Sequence, residues 1–161
     1  MGLIPSTIEK IKRSQYLGFL DITPSSTASY KPVGIGITEA SMAYNPQVET
    51  EQWIIEDSAR TDHTGNQKQL SITQKCYKND PEFEYINSCR DKLNCTSHYL
   101  EVDTWGGTTG AYPSKLSDCL ITIENYSGDE IEYTIYINGD PTDGTTSISD
   151  GVPTFTPSVS L

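Results

Sequence analysis

The chain predicts a mainly β fold, an antiparallel β-sandwich or open barrel with one flanking α-helix, over 161 residues. Three observations carry this. Several segments alternate apolar and polar residues with the period of a half-buried strand. Gly, Pro, Asn and Asp cluster between those segments, as turns require. Thr, Ser and Tyr are abundant, which suits strands and turns more than helices. The length is that of a single domain, 1–161, with room for a proper core. No apolar run approaches the ~20 residues a membrane span needs.

Residues 1–14 read as an N-terminal arm. Ser6-Thr7-Ile8-Glu9 fits a capping box, so a short helical turn through Ile11 is expected. The arm should order on contact with a partner, with Ile8 and Ile11 as contact residues. Gln15 to Ile22 reads as a strand, and TPSSTASYKP as a loop. Val33, Ile35 and Ile37 alternate with Gly34 and Gly36, predicting a strand with one bare face and a close neighbour.

The stretch from Tyr44 to Asp80 reads as one long hairpin, centred on 50–76. Its outgoing arm, near Gln52 to Glu56, holds Trp53, Ile54 and Ile55. Its returning arm, Gln69 to Lys75, alternates Leu70 and Ile72 with Ser71 and Thr73. DSARTDHTGNQK between them is longer than the ~2–5 residues of ordinary hairpin loops. Long ordered loops are often functional. Ser58, Arg60, Asp62, His63 and Asn66 are therefore expected to touch a neighbouring subunit, a floppy surface loop being the alternative.

A helix over 80–94 follows. Asp80 caps it, Pro81 suits its first position, and Glu82 and Glu84 face the positive end of the dipole. Phe83, Ile86 and Leu93 make its buried stripe, with Cys89 beside them. Strands follow at Ser97 to Trp105, Asp118 to Asn125, Glu130 to Ile137 and Val152 to Thr156. Tyr126 to Asp129 forms a hairpin turn, and Asn138-Gly139-Asp140-Pro141 a further turn. Leu100, Val102, Ile121, Ile123, Ile131, Tyr133, Ile135 and Ile137 are expected on the core side. Glu101, Asp103, Glu124, Glu130 and Glu132 then share the opposite face.

The net charge of −11 is uneven. Residues 1–100 hold 12 acidic and 10 basic side chains, whereas residues 101–161 hold 10 acidic ones and Lys115 alone. This disfavours ordinary nucleic-acid binding, which wants a basic surface. It suits a wall that must not hold a polyanion, or simply a soluble surface.

Signals for chemistry are sparse. His63 falls in the hairpin loop and His98 begins a strand as a partly buried, satisfied group. No nucleophile-elbow sequence accompanies them. Cys95 and His98 lack a second close ligand pair for zinc. Asn138, Asp140 and Asp143 miss the calcium-loop spacing. The first 14 residues carry charge but no apolar signal core. The four cysteines, Cys76, Cys89, Cys95 and Cys119, are thus expected as reduced thiols, two disulfides being the alternative. No catalytic, cofactor or metal site is expected.

The order of elements, with Tyr44-Asn45-Pro46-Gln47 opening the hairpin, Asp80-Pro81-Glu82-Phe83 opening the helix and Gly151 to Pro157 closing the chain, resembles the major tail tube proteins of long-tailed bacteriophages. The resemblance covers nearly the whole chain. It implies hexameric rings that stack into a hollow tube conducting genomic DNA, with tape measure and tail-end proteins as further partners. It implies a place in the virion tail, and in the host cytoplasm during assembly. Glu101, Asp103, Glu124, Glu130 and Glu132 would then line the lumen, and DNA would pass without specific binding. The alternative is a non-catalytic β-sandwich module that binds carbohydrate or protein, with Tyr99, Trp105 and Tyr112 as a platform.

Overall fold

The computed structural model describes residues 2–3 and 5–158. In chain order the strands are β1 (Tyr16–Asp21), β2 (Tyr30–Pro32), β3 (Met42–Ala43), β4 (Pro46–Glu51), β5 (Arg60–Asn66), β6 (Gln69–Lys75), β7 (Cys95–Asp103), β8 (Tyr112–Tyr126), β9 (Glu130–Ser149) and β10 (Val152–Pro157). Helix α1 (Pro81–Ser88) joins β6 to β7. Eight strands form one open antiparallel sheet in the order β2-β1-β7-β8-β9-β6-β3, with β10 added to β9. Strands β4 and β5 pair only with each other. The expectation of a mainly β, antiparallel, open architecture with one flanking helix holds.

Strands β8 and β9 form the spine. Their register slips between Leu116 and Asp118 and again between Ile123 and Asn125. Such bulges bend and twist a long ribbon. Strand β9 can therefore serve two neighbours, β6 along its first half and β10 along its second. Asn138 to Pro141, expected as a turn, lies at the first slip inside β9, where Gly139 takes a φ of 73°. The turn between β9 and β10 is instead Asp150-Gly151, both at positive φ, the two-residue type I′ arrangement.

The sheet is buried on both faces near β1 and β7. Leu20 pairs with Tyr99, and both belong to the larger core with Leu70, Ile72, Ile121, Tyr133 and Ile135. Phe19 pairs with Leu100, and both belong to a smaller core on the other face with Val102. Ile86 and Phe83 of α1, with Val33, Ile37 and Ala40, cover the larger core. Tyr30, Tyr112, Leu116 and Phe155 close the smaller one. Each fully buried Leu or Ile contributes about 1.5–3 kcal/mol.

Four local expectations are corrected. Val33 to Ile37 is not a strand but a turn, in which the Ile37 amide donates to the Gly34 carbonyl at 3.1 Å. A Cβ on Gly36, at φ 79°, would lie 2.4 Å from the Lys75 carbonyl oxygen, so close backbone approach explains that glycine. The helix ends at Ser88, leaving Leu93 94% exposed instead of in the buried stripe. Cys89 and Cys95 are joined as a disulfide rather than free, while Cys76 and Cys119 are free. The long hairpin, finally, is displaced. The stretch expected as its polar loop is strand β5, whereas Trp53, Ile54 and Ile55, expected in a strand, form the connection at its tip.

Candidate assembly surfaces

The arm made by β4 and β5 has almost no buried face: every residue of β4 is exposed, and only Gly65 of β5 is not. Its register sets Thr50 opposite Thr61, with their hydroxyls 3.0 Å apart, and Glu51 opposite Arg60. Glu49 lies directly opposite Asp62, a like-charge pair that costs stability. At the tip, the Arg60 guanidinium stacks 4.2 Å from the Trp53 ring and pairs with Glu56. Trp53 Nε1 donates to Glu51 Oε1 at 2.9 Å. Beyond this small lock, Ile54 is 102% exposed and Ile55 85%. At the base, Asn45 Nδ2 donates to the Gln67 carbonyl and Lys68 sits over the Tyr44 ring.

The expected contact residues fall as follows. Ser58 lies in the tip connection; Arg60, Asp62, His63 and Asn66 lie on β5, all exposed. His63 Nε2 is 2.7 Å from Asn66 Oδ1, so these two satisfy each other. Ile8 and Ile11 are exposed in the N-terminal arm. The arm's helical turn does not extend through Ile11; a single 3-10 turn occurs later, at Arg13–Gln15. What the residue-level reading missed was the apolar tip itself. Its signal was three consecutive large apolar residues, 53–55, with no alternation, which fits no half-buried strand.

A cleft of about 540 Å³ opens between β1 and the 33–40 loop. Leu17, Val33, Ile37 and Leu70 line it, with Arg13 and Glu39 among its charged residues. Arg13 Nη1 donates to the Tyr16 carbonyl at 2.8 Å and Nη2 to the Ala40 carbonyl at 3.1 Å. Gly18 in its wall is required, because a Cβ there would lie 2.0 Å from Tyr99 Oη.

The five carboxylates expected together are divided by the register. Tyr99, Glu101 and Asp103 alternate on the same face of β7 as Cys95, which sits opposite Ile121. Ile121 in turn sits opposite Ile135, and Glu132 alternates with Ile135 on β9, so Glu132 lies on the other face. The reason is that β7 buries residues on both faces, so Leu100 and Val102 do not share a side with Ile121. Tyr16 Oη donates to Glu101 Oε1 at 2.7 Å, and Lys115 Nζ bonds Asp143 beside it at 2.7 Å. Burial pushes the Tyr16 hydroxyl pKa up, with Tyr99 and Glu101 adding to it.

Among the described residues the interior holds two polar networks, besides the buried hydroxyl bond from Thr146 to Ser114. Asp21, 1% exposed, accepts from the Thr23 and Ser29 amides and faces His98 Nδ1 at 3.2 Å. His98 is thus the satisfied, partly buried group expected. Beneath α1, Tyr133 Oη lies 2.7 Å from Glu82 Oε1 and 2.8 Å from Gln74 Oε1. Gln74 Nε2 donates to the Ile35 carbonyl and to Asp80 Oδ2. Asp80 Oδ1 accepts the Glu82 amide and caps the helix. Tyr99 is 3% exposed and packed in the core, so it cannot join Trp105 and Tyr112 in a sugar platform. The disulfide removes Cys95 from any zinc set with His98.

No protein-family profile and no curated protein matches the chain. Among solved structures the fold is similar to a chain in the tail of an empty GTA particle, refined helically with C6 symmetry. The likeness has a TM-score of 0.56 at 11% identity and covers 83% of this chain and 98% of that one.

Proposed function

We propose that this chain is a structural tail subunit of a phage-like particle, which polymerises as stacked hexameric rings into a tube that conducts DNA. The observation that carries the reading is the fold shared with nearly the whole of a C6-symmetric tail chain. An exposed ribbon with an apolar tip supports it, because a subunit that stood alone would gain nothing from one. In this reading the chain is no enzyme and needs no cofactor. It belongs in the virion tail, after assembly in the host cytoplasm, with tape measure and tail-end proteins as partners. Negative-stain images of the purified protein test it: tubes or rings are expected, and monomers at all concentrations would refute it.

Of the two carboxylate sets, Glu124, Glu130 and Glu132 carry the lumen role in this proposal. Glu130 and Glu132 sit opposite Lys75 and Thr73, on the face away from α1, and Glu124 lies at the neighbouring β8 slip beside Thr122, whereas Glu101 is engaged by Tyr16. A like-charged wall repels phosphates within about 8 Å at physiological salt and keeps DNA moving. Glu130→Lys with Glu132→Lys should leave tubes intact but slow genome ejection, most at low salt, since each neutralised phosphate adds affinity. Unchanged ejection would assign the acidic bias to solubility.

A further inference from the structure

We propose that the apolar tip of one copy's arm, Trp53 to Ile55, seats in the cleft between β1 and the 33–40 loop of a second copy, with the acidic ribbon steered by Arg13 at the cleft. This rests on the reading of the chain as a self-assembling subunit and names the surfaces that meet.

Ile54 and Ile55 of the tip are almost wholly exposed, while Arg60 and Glu51 hold Trp53 beside them. The ribbon from Pro46 to Asn66 carries Glu49, Glu51, Glu56, Asp57 and Asp62 against Arg60 alone, and Arg60 is taken by Glu56. The opposed Glu49 and Asp62 make the ribbon self-repelling. A cationic surface would relieve that repulsion. The cleft offers a cation for it: Arg13 lines it, held by carbonyl groups and not by a carboxylate, and Lys10 and Lys12, with Glu9, precede Arg13 in the chain. Among the described residues, none of these three cations is in an ion pair. Glu39 is the single carboxylate of the lining.

The cleft also fits in kind. At about 540 Å³ with apolar walls, it lies within the roughly 300–1,000 Å³ of pockets that take compact apolar groups. Gly34 lines it, and a Cβ there would meet nothing within 4 Å, so the space beside it is open. Tip and cleft are different surfaces. The contact is therefore head-to-tail, every copy gives one arm and offers one cleft, and the chain grows into a ring or a filament.

Two variants test this. Ile54→Asp spoils the tip and keeps the cleft; Gly34→Trp fills the cleft and keeps the arm. Melting curves check that both fold. Each alone should remain monomeric where the wild type assembles. Mixed one to one, they should form a two-chain complex and stop, because only one intact arm meets one intact cleft; sedimentation velocity reads this. Arg13→Glu, at an exposed position, should weaken association roughly tenfold and flatten its salt dependence. The proposal is overturned if Gly34→Trp assembles like the wild type, or if the mixture stays monomeric. Should the wild type itself form no tubes or rings, the tail reading fails, and the mixture still decides: a two-chain complex upholds the arm-in-cleft contact, and separate monomers overturn it.

Discussion

Glu82 is fully buried under the start of α1, and its hydrogen-bond partners define its protonation state. Gln74 Nε2 donates to two oxygens, which fixes the amide so that Gln74 Oε1 faces Tyr133. A phenol has one proton and Gln74 Oε1 can only accept. Tyr133 has one proton for two acceptors, Gln74 Oε1 and Glu82 Oε1, so both short contacts become full hydrogen bonds only when Glu82 carries a proton of its own. The site therefore favours the neutral acid. Its pKa points the same way: burial pushes it from 4.5 up to about 7, with Asp80 adding to the effect against the hydrogen bonds. Between those two values the folded chain binds more protons than the unfolded one, so stability falls as pH rises through the interval. At 1.36 kcal/mol per pH unit the full loss is about 3 kcal/mol. Glu82→Gln cannot ionise, and its amide can donate to Tyr133. The variant should match the wild type within about 1 kcal/mol at pH 4.5 and exceed it by about 3 kcal/mol at pH 8. That is about 6–12 °C in Tm for a chain of this size. Asp80, also pushed up by burial, is present in both proteins and cancels in the difference. Calorimetric or urea unfolding from pH 4.5 to 8 reads the effect. Parallel profiles, or an advantage for the variant that grows toward acid, would refute the reasoning.

Three further outcomes are expected. Gly144→Ala would place a Cβ 2.3 Å from the Thr156 carbonyl oxygen and 2.6 Å from the Phe155 ring; it should cost about 1–3 kcal/mol in urea unfolding, whereas Gly34→Ala should cost far less. Intact mass under non-reducing denaturation should show the loss of two hydrogens for Cys89–Cys95 and two thiols open to alkylation; replacing the pair by Ser should cost about 2 kcal/mol for so short a loop. Replacing residues 47–65 by a short Gly-containing turn should leave the thermal midpoint of the main sheet within a few degrees, because the ribbon covers none of either core; a large loss of stability would show that the arm supports its own subunit.

The strands with clean alternation were legible. Leu70 and Ile72 of β6 are buried between exposed Ser71 and Thr73, and Ile131, Tyr133, Ile135 and Ile137 of β9 are buried as period two demands, with Glu132 and Tyr136 half-buried between them and Thr134 buried as well. The capped start of α1 was legible too, because Asp80, Pro81 and Glu82 act through neighbours in sequence. What failed depended on distant parts of the chain. Leu100 alternates like Ile121, yet which face each residue takes is set by register, and register joins β7 to β8 across loops. The Asn138-Gly139 dipeptide has turn chemistry, but here the same positive φ serves a bulge in a strand held on both sides. The Asp150-Gly151 pair, by contrast, closes the hairpin between β9 and β10, with Ser149 opposite Val152. Glu82 read as a helix-dipole residue; that it is buried required Tyr133, 51 positions away.

The arm reverses the usual relation between pattern and structure. Strands declare themselves by alternation because one face is buried, and β4 and β5 bury none. Their sequences, PQVETE and RTDHTGN, are therefore free to be polar throughout, and they look like loop. The apolar residues that resembled strand, Trp53 to Ile55, sit where the ribbon must turn; Arg60 stacks on Trp53, and Ile54 and Ile55 are left in solvent. An isolated two-stranded hairpin is marginal in water. This one also opposes Glu49 to Asp62, and it keeps Arg60, Glu56 and Trp53 locked together only near its end. Cross-strand bonds hold its shape, and neither core of its own subunit packs against it. Folding alone thus does not account for this ribbon's sequence. The proposed contact between copies would bury the tip, bring the carboxylates to Arg13 and turn a local cost into a head-to-tail bond.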